Sequence, residues 1–423
     1  MGALLVRLRA GLLGDVPFRR YWVGQGASLI GDQVRMLALP LTAVLALHAD
    51  ATGMALLSAC GSLPWLLFGL HAGSWVDRRG RRRQTMLWAD ALRALLLIAV
   101  PVAFLLHVQS MAFLVLVSFL VGTCTVLFRV SASTLFVALV PQERYVEASS
   151  LLSGSRALAF FVGPGIGGYL VQWLTAPFAL LADAASFVVS AVALGSIRPA
   201  EPLPAARARG EVLEGLRYLR TVPILRASFA AQATVSLFGA IFGALYVLYG
   251  TRVLHVTPAD WGIILGPSSI GALAATGLAR RLSGRIGVGR TLLLGTVLFT
   301  APLLLVPLAG GAHAAVVATL FVAEGLAGAG SMIREIASGT IQAVTISDAV
   351  RARVTAAFSV AGSGLSPIGA LLAGGVAALI GLHPTILLAT AGGAMAFLWL
   401  LRLPLGQLRS VEDLAASAPC VRA

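Results

Sequence analysis

The chain contains no lysine and no asparagine, so its 31 basic residues are all arginine. Without lysine there is no P-loop cation to grip a nucleotide's phosphates and no amine for a Schiff base. An ATP-driven motor is therefore excluded. Without asparagine there is no N-glycosylation acceptor. Both residues use A-rich codons, so their joint absence is what a GC-rich bacterial genome produces without any selection for guanidinium chemistry. Charge of either sign is scarce, at 11% of residues against 58% hydrophobic. A soluble domain cannot cover that much apolar surface with so thin a polar shell. Cysteine is nearly missing: Cys60, Cys124 and Cys420 are scattered, with no CxxC pair and no metal spacing. They read as small buried residues. Enzyme signatures are absent too, with no GxSxG elbow, no HExxH and no Cys/His set. The glycines at 325–330 lie inside an apolar run rather than after a strand, so they do not form a nucleotide loop. Neither catalysis nor a cofactor or metal is expected.

What the chain has is a succession of apolar runs. They fall near 19–47, 54–73, 85–107, 110–136, 147–173 and 177–197, then near 226–250, 260–281, 291–309, 313–334, 352–380 and 385–402. Each is close to the ~20 residues that cross a bilayer. The fold class that follows is an all-α membrane protein of twelve transmembrane helices in two six-helix bundles. The hydrophilic stretch 198–223 divides the runs six and six. The expected organisation is a first bundle over 1–197, a cytoplasmic linker over 198–223, a second bundle over 224–402 and a tail over 403–423. Val212, Leu213, Leu216 and Leu219 recur at an amphipathic spacing, which predicts a helix lying along the membrane surface.

The formal net charge of +14 would suggest a nucleic-acid partner in a soluble protein. Here the arginines are split among short loops, so the charge reports topology and no nucleic acid is expected. With the N-terminus in the cytosol, the inner segments hold Arg7, Arg9, Arg19 and Arg20, the cluster Arg78 to Arg83, Arg144, and Arg198 to Arg220. They also hold Arg280, Arg281, Arg285, Arg290, Arg351, Arg353, Arg402 and Arg409, while the outer loops hold Arg252 alone. That asymmetry predicts a multi-pass protein of the cell membrane with both termini inside. The first seventeen residues lack an apolar core ending in a small-residue cleavage site, so the first span is expected to act as its own insertion signal. His48, His107, His255, His313 and His383 fall in or beside the outer loops, where neutral imidazoles need no special role.

Two elements stand out between and within the runs. The first is Gly73-Ser74-Trp75-Val76-Asp77-Arg78-Arg79-Gly80-Arg81-Arg82-Arg83, a glycine-framed arginine turn with one carboxylate; it has a weaker echo at Leu282 to Arg290, where Gly284 replaces the acid. The second is Gly163-Pro164-Gly165-Ile166-Gly167-Gly168 in the fifth span, echoed in the eleventh by Ser366-Pro367-Ile368-Gly369. Halves that repeat about an axis along the membrane normal are a transporter architecture with a midplane substrate site.

On these residues the chain resembles the major facilitator superfamily. Gly73 to Arg83 is similar to that family's signature loop between spans two and three, and Gly163 to Gly168 matches the GPxxGG motif of its drug:proton antiporters. Phe18-Arg19-Arg20-Tyr21-Trp22, Gly31-Asp32-Gln33 and Ala89-Asp90-Ala91-Leu92-Arg93 are similar to macrolide-efflux and enterobactin-exporter-like members. The resemblance covers essentially the whole chain. It departs from the family at Arg129, which lies late in the fourth span where the usual arginine sits in the outer part. The resemblance implies a transporter that exports a small molecule in exchange for protons.

The charged residues inside the spans suggest how. A charge at bilayer depth must face a cavity or a partner. Asp32, midway along the first span, could exchange a proton as a cavity changes sides; alternatively Arg35, one turn on, merely neutralises it. Glu324 in the tenth span is the second candidate proton carrier. Asp90 and Arg93 are expected to latch the arginine loop, with Asp90 accepting from Arg78 or Arg81, and Asp77 to cap a helix N-terminus. Gly73 and Gly80 frame that gate. In the antiporter motif, Gly163, Gly167 and Gly168 allow close helix packing and Pro164 bends the helix. Arg156 and Asp183 could pair with each other. Gln25, Ser28, Gln33, Arg35, Gln232, Ser236 and Tyr246 are the candidate cavity residues. The expected partners are a small amphiphilic substrate, protons and the lipid bilayer, with the chain acting as a monomer. Rival readings are a siderophore or metabolite exporter, a proton-coupled importer, or a non-transporting sensor or scaffold.

Overall fold

In a hydrocarbon environment every backbone N–H and C=O must find its partner within the chain, and a helix does this locally. The apolar runs accordingly fold as helices in the computed structural model, which describes residues 11–197, 212–346 and 348–402. Among the described residues there are 12 helices long and apolar enough to cross a membrane. They are α1 Val16–Ala46, α2 Ala51–Gly69, α3 Arg82–Leu105, α4 Met111–Leu139, α5 Gln142–Leu174 and α6 Ala176–Gly195. Then follow α7 Pro223–Arg252, α8 Pro258–Ile286, α9 Val288–Leu308, α10 His313–Thr345, α11 Arg353–Ile380 and α12 Leu382–Leu401. The second helix continues beyond its apolar part to Arg79. Gly80 then adopts a φ of 61°, the left-handed conformation that glycine enters without a steric penalty, and α3 starts two residues later.

Contacts divide the chain into two compact units, Met1–Ala49 with Cys60–Arg207, and Asp50–Ala59 with Ala208–Ala423. In the first, α1 packs on α5 and α6, and α3 packs on α4 and α6. In the second, α7 packs on α11 and α12, and α9 packs on α10 and α12. The same four pairings recur six helices later. The echo between the halves is thus a repeat of packing as well as of sequence.

Glycines place the α5–α1 and α11–α7 contacts. A Cβ at Gly163 would overlap the side chain of Gln33, and one at Gly167 would stand 3.2 Å from the Val34 Cα. In the second unit a Cβ at Gly369 would meet Leu237 and Ala240 of α7. Small residues at such crossings let backbones approach where lipid supplies no hydrophobic drive between helices. Gly168 is buried beside them, whereas Gly165 faces open space. Pro164 lies within the continuous helix.

The short amphipathic helix Val212–Thr221 packs against the helix Asp348–Ser359. Tyr218 Oη donates to the Thr345 carbonyl at 3.1 Å, and Leu219 is buried with Val222, Ile341 and Val354. Leu219, expected at a membrane surface, is covered by protein instead. The side chains of Val212, Leu213 and Leu216 lie outside the described residues.

At the start of α8, the Thr257 hydroxyl accepts from the Asp260 N–H while Asp260 accepts from the Thr257 N–H, a reciprocal cap. The same carboxylate reaches His313 Nε2 at 3.1 Å, tying α8 to the first residue of α10.

Candidate functional site

Helical periodicity sets the first wall. Tyr21, Gln25, Ser28 and Asp32 are spaced four, three and four apart, so they share one face of α1. Ser149, Ser153 and Arg156 do the same on α5. With Phe128, Arg129, Ser133 and Phe136 of α4 and Arg93 of α3, these faces enclose a cavity of ≈ 370 Å³ within the first unit. That is within the range of small-molecule sites, about 300–1,000 Å³.

Asp32 stands in the wall of this cavity, 19% exposed, and Arg35 links it to a second acid. Arg35 Nη2 donates to Asp32 Oδ1 at 2.5 Å and Arg35 Nε donates to Asp183 Oδ2 at 2.8 Å. Asp183, on α6, is fully buried and also accepts from Ser186 Oγ at 3.2 Å. Gly31 makes room for it, since a Cβ there would overlap both Asp183 and Ser186. The unit is therefore two carboxylates on one guanidinium. With both acids ionised it carries one net negative charge, and one proton makes it neutral.

A second pair lies deeper. Arg93 donates to Asp90 within α3, and both are buried. The Arg93 guanidinium carbon lies over two aromatic rings, 4.3 Å from the Phe128 ring centre and 4.0 Å from that of Phe187. The expected latch from Asp90 to the arginine loop is not what this arrangement offers: Arg93 holds Asp90, and Arg81 is exposed. Arg83 instead donates to the carbonyls of Leu194 and Gly195 at the end of α6. The side chains of Asp77 and Arg78, and the surroundings of Gly73, lie outside the described residues.

Of the residues expected around a cavity, Gln25 and Ser28 line this one. Gln33 and Arg35 do not: Gln33 is buried on the α5-facing side against Gly163, and Arg35 points to Asp183. Arg156 does not pair with Asp183, because Arg35 holds that carboxylate while Arg156 lines the cavity. Arg129 lines it as well, with its guanidinium carbon 5.8 Å from the Trp65 ring centre.

The second unit has its own polar residues. Arg334 Nη1 of α10 donates to Gln232 Oε1 of α7 at 2.5 Å, and Gln232 Nε2 donates to Ser236 Oγ at 2.9 Å. Of the two expected cavity residues, Gln232 is thus held by an arginine and Ser236 by Gln232. The Glu324 carboxyl lies beside the Tyr246 hydroxyl without meeting hydrogen-bond geometry. Tyr246 is packed between Phe242, 4.4 Å away, and the edge of Trp261 at 4.9 Å.

Sequence reasoning missed Ser133, Ser149, Ser153 and Arg334. The serines of α5 carried a usable signal, because 149, 153 and 156 share one face at helical spacing. Arg334 carried none, since it sits where the tenth apolar run was expected to end.

A family description, Major Facilitator Superfamily, matches residues 21–363. The chain belongs to this superfamily. As a member of it, the protein is a transporter rather than an enzyme. The multidrug efflux pump Tap of Mycolicibacterium fortuitum is 26% identical over 382 residues, covering 84% of this chain and 88% of that protein. Multidrug resistance protein 1 of Bacillus subtilis (strain 168) is 26% identical over 263 residues, 59% of this chain and 64% of the relative. Among solved structures, the nucleoside transporter NupG superposes with a TM-score of 0.72 over 92% of this chain and 99% of that one, at 13% identity. At that identity the likeness concerns the fold, which is the major facilitator fold of two pseudo-symmetric six-helix bundles.

Proposed function

We propose that this major facilitator transporter exports small amphiphilic or drug-like molecules from the cell by proton antiport, working by alternating access with both termini in the cytosol. The observation that carries the reading is the Asp32–Arg35–Asp183 group in and behind the wall of the first unit's cavity. Asp183 is sealed from solvent while Asp32 is open to the cavity, so Asp32 is the acid that a substrate or a water-borne proton reaches. The proton changes the group between one net negative charge and none. The cavity is then electrostatically different in its loaded and unloaded states, which couples cargo binding to the proton. The likeness to the multidrug efflux pump Tap supports the outward direction. Gly163 and Gly167, holding α5 against α1 beside this group, suit a seal against proton leak. Glu324 is the second candidate proton carrier, in the second unit, with Tyr246 as its neighbour.

Everted membrane vesicles test the reading. Addition of an exported compound to energised vesicles carrying the wild type releases protons from the lumen, and Asp32→Asn abolishes that release while leaving expression near normal. An unchanged signal in Asp32→Asn removes Asp32 from coupling. A signal of opposite sign means import by symport.

A further inference from the structure

We propose that the cavity of the first unit takes an organic anion: an amphiphile whose carboxylate, sulfonate or phosphate head is anchored by Arg129 and Arg156. The inference rests on the reading above, since it names the substrate class of the same cavity.

The charge count leads to it. The acids at and behind the cavity wall are all engaged: Asp90 by Arg93, and Asp32 and Asp183 together by Arg35. Arg129 and Arg156 face the same cavity, and neither forms an ion pair among the described residues. Three carboxylates thus stand against four guanidinium groups, Arg35, Arg93, Arg129 and Arg156, leaving one positive charge over. A guanidinium at bilayer depth with no counter-charge is costly, and a bound anion supplies one. Two guanidiniums on neighbouring helices also repel each other until an anion sits between them.

The rest of the wall fits such a guest. Arginine presents a planar fork of donors that matches two oxygens of a carboxylate, sulfonate or phosphate. The hydroxyls of Ser149 and Ser153 lie among the lining groups and can donate to remaining oxygens. Phe128, Phe136 and Leu29 provide the apolar surface for the body of the molecule. Arg93 lines the cavity too, but its charge is matched by Asp90 and its guanidinium lies over the Phe128 and Phe187 rings, so it is not free to hold an anion.

The test is equilibrium binding, which needs neither transport nor a proton gradient. The full chain is placed in phosphatidylcholine nanodiscs. Pyrenebutyrate and the matched pyrenylbutyl-trimethylammonium ion are titrated by fluorescence anisotropy, with empty nanodiscs subtracted. The wild type is expected to bind the carboxylate at least tenfold more tightly than the ammonium ion. Arg129→Gln and Arg156→Gln should each weaken carboxylate binding roughly tenfold, the usual scale for one charge-assisted contact. Arg252→Gln, at the far end of α7, should leave it unchanged. Equal or tighter binding of the ammonium ion overturns the inference, as does failure of both probes to bind. So does carboxylate affinity that persists in the Arg129→Gln/Arg156→Gln double variant. If the carboxylate binds as expected while Asp32→Asn keeps its vesicle signal, the coupling role of Asp32 falls and the anion site stands; the converse result separates them the other way.

Discussion

The sharpest test of the charge arrangement is removal of the guanidinium that two acids share. Arg35→Gln deletes donors at 2.5 Å to Asp32 and 2.8 Å to Asp183. The two carboxylates feel this unequally. Asp32 is 19% exposed and can regain water from the cavity, whereas Asp183 is fully buried and keeps the Ser186 hydroxyl at 3.2 Å. The cost therefore falls on Asp183, and stripping one partner from a buried ion pair costs about 3–5 kcal/mol. Adding Asp183→Asn to Arg35→Gln removes the stranded charge and leaves two amides able to pair. We expect it to restore about 2 kcal/mol, a coupling of the size seen between directly contacting residues. In the wild-type background the same Asp183→Asn change leaves Arg35 bound to Asp32 and lowers stability. The sign of one substitution thus inverts with its background. Reversible unfolding of the protein in mixed micelles, titrated with dodecyl sulfate and followed by helical circular dichroism, measures all four corners of the cycle. If Asp183→Asn costs the same with and without Arg35, the two side chains are not coupled and the shared-guanidinium account is wrong.

Two further predictions concern packing in the same unit. Gly167→Val forces a branched side chain against the Val34 backbone, where a Cβ alone would stand 3.2 Å from the Cα. It should destabilise by about 1–3 kcal/mol, while Gly165→Ala, facing open space, should cost nothing measurable; comparable losses at both sites would remove the α1–α5 contact as the reason for the motif. Arg93→Lys keeps the charge but loses the planar guanidinium that lies over the Phe128 and Phe187 rings. A loss of roughly 1–2 kcal/mol in the same unfolding assay is expected from that stacking and fork geometry, and wild-type stability in Arg93→Lys would show that charge alone suffices.

Much of the fold was legible in the chain because spanning is a local property. Whether some 20 residues are apolar enough to enter a bilayer depends on those residues alone, and the runs read near 85–107 and 110–136 became α3 and α4, Arg82–Leu105 and Met111–Leu139. The glycines of Gly163 to Gly168 were legible as packing residues for a similar reason: absence of a Cβ has one structural use at a helix crossing. Asp32 could be singled out because an acid at mid-span is costly wherever it sits.

Partner choice was not local. Asp183 and Arg35 are 148 residues apart, and only the packing of α1 on α6, cleared by Gly31, brings them within hydrogen-bond distance. That contact took Asp183 from Arg156, turned Arg156 toward the cavity, and made Arg35 a holder of acids rather than a wall residue. Gln232 was bound by Arg334 in the same way, from 102 residues downstream. The sequence by itself determined how many helices cross and where their charges lie along each, since hydropathy acts residue by residue. Which charge meets which depends on helix rotation and neighbour, and these are set when whole faces pack.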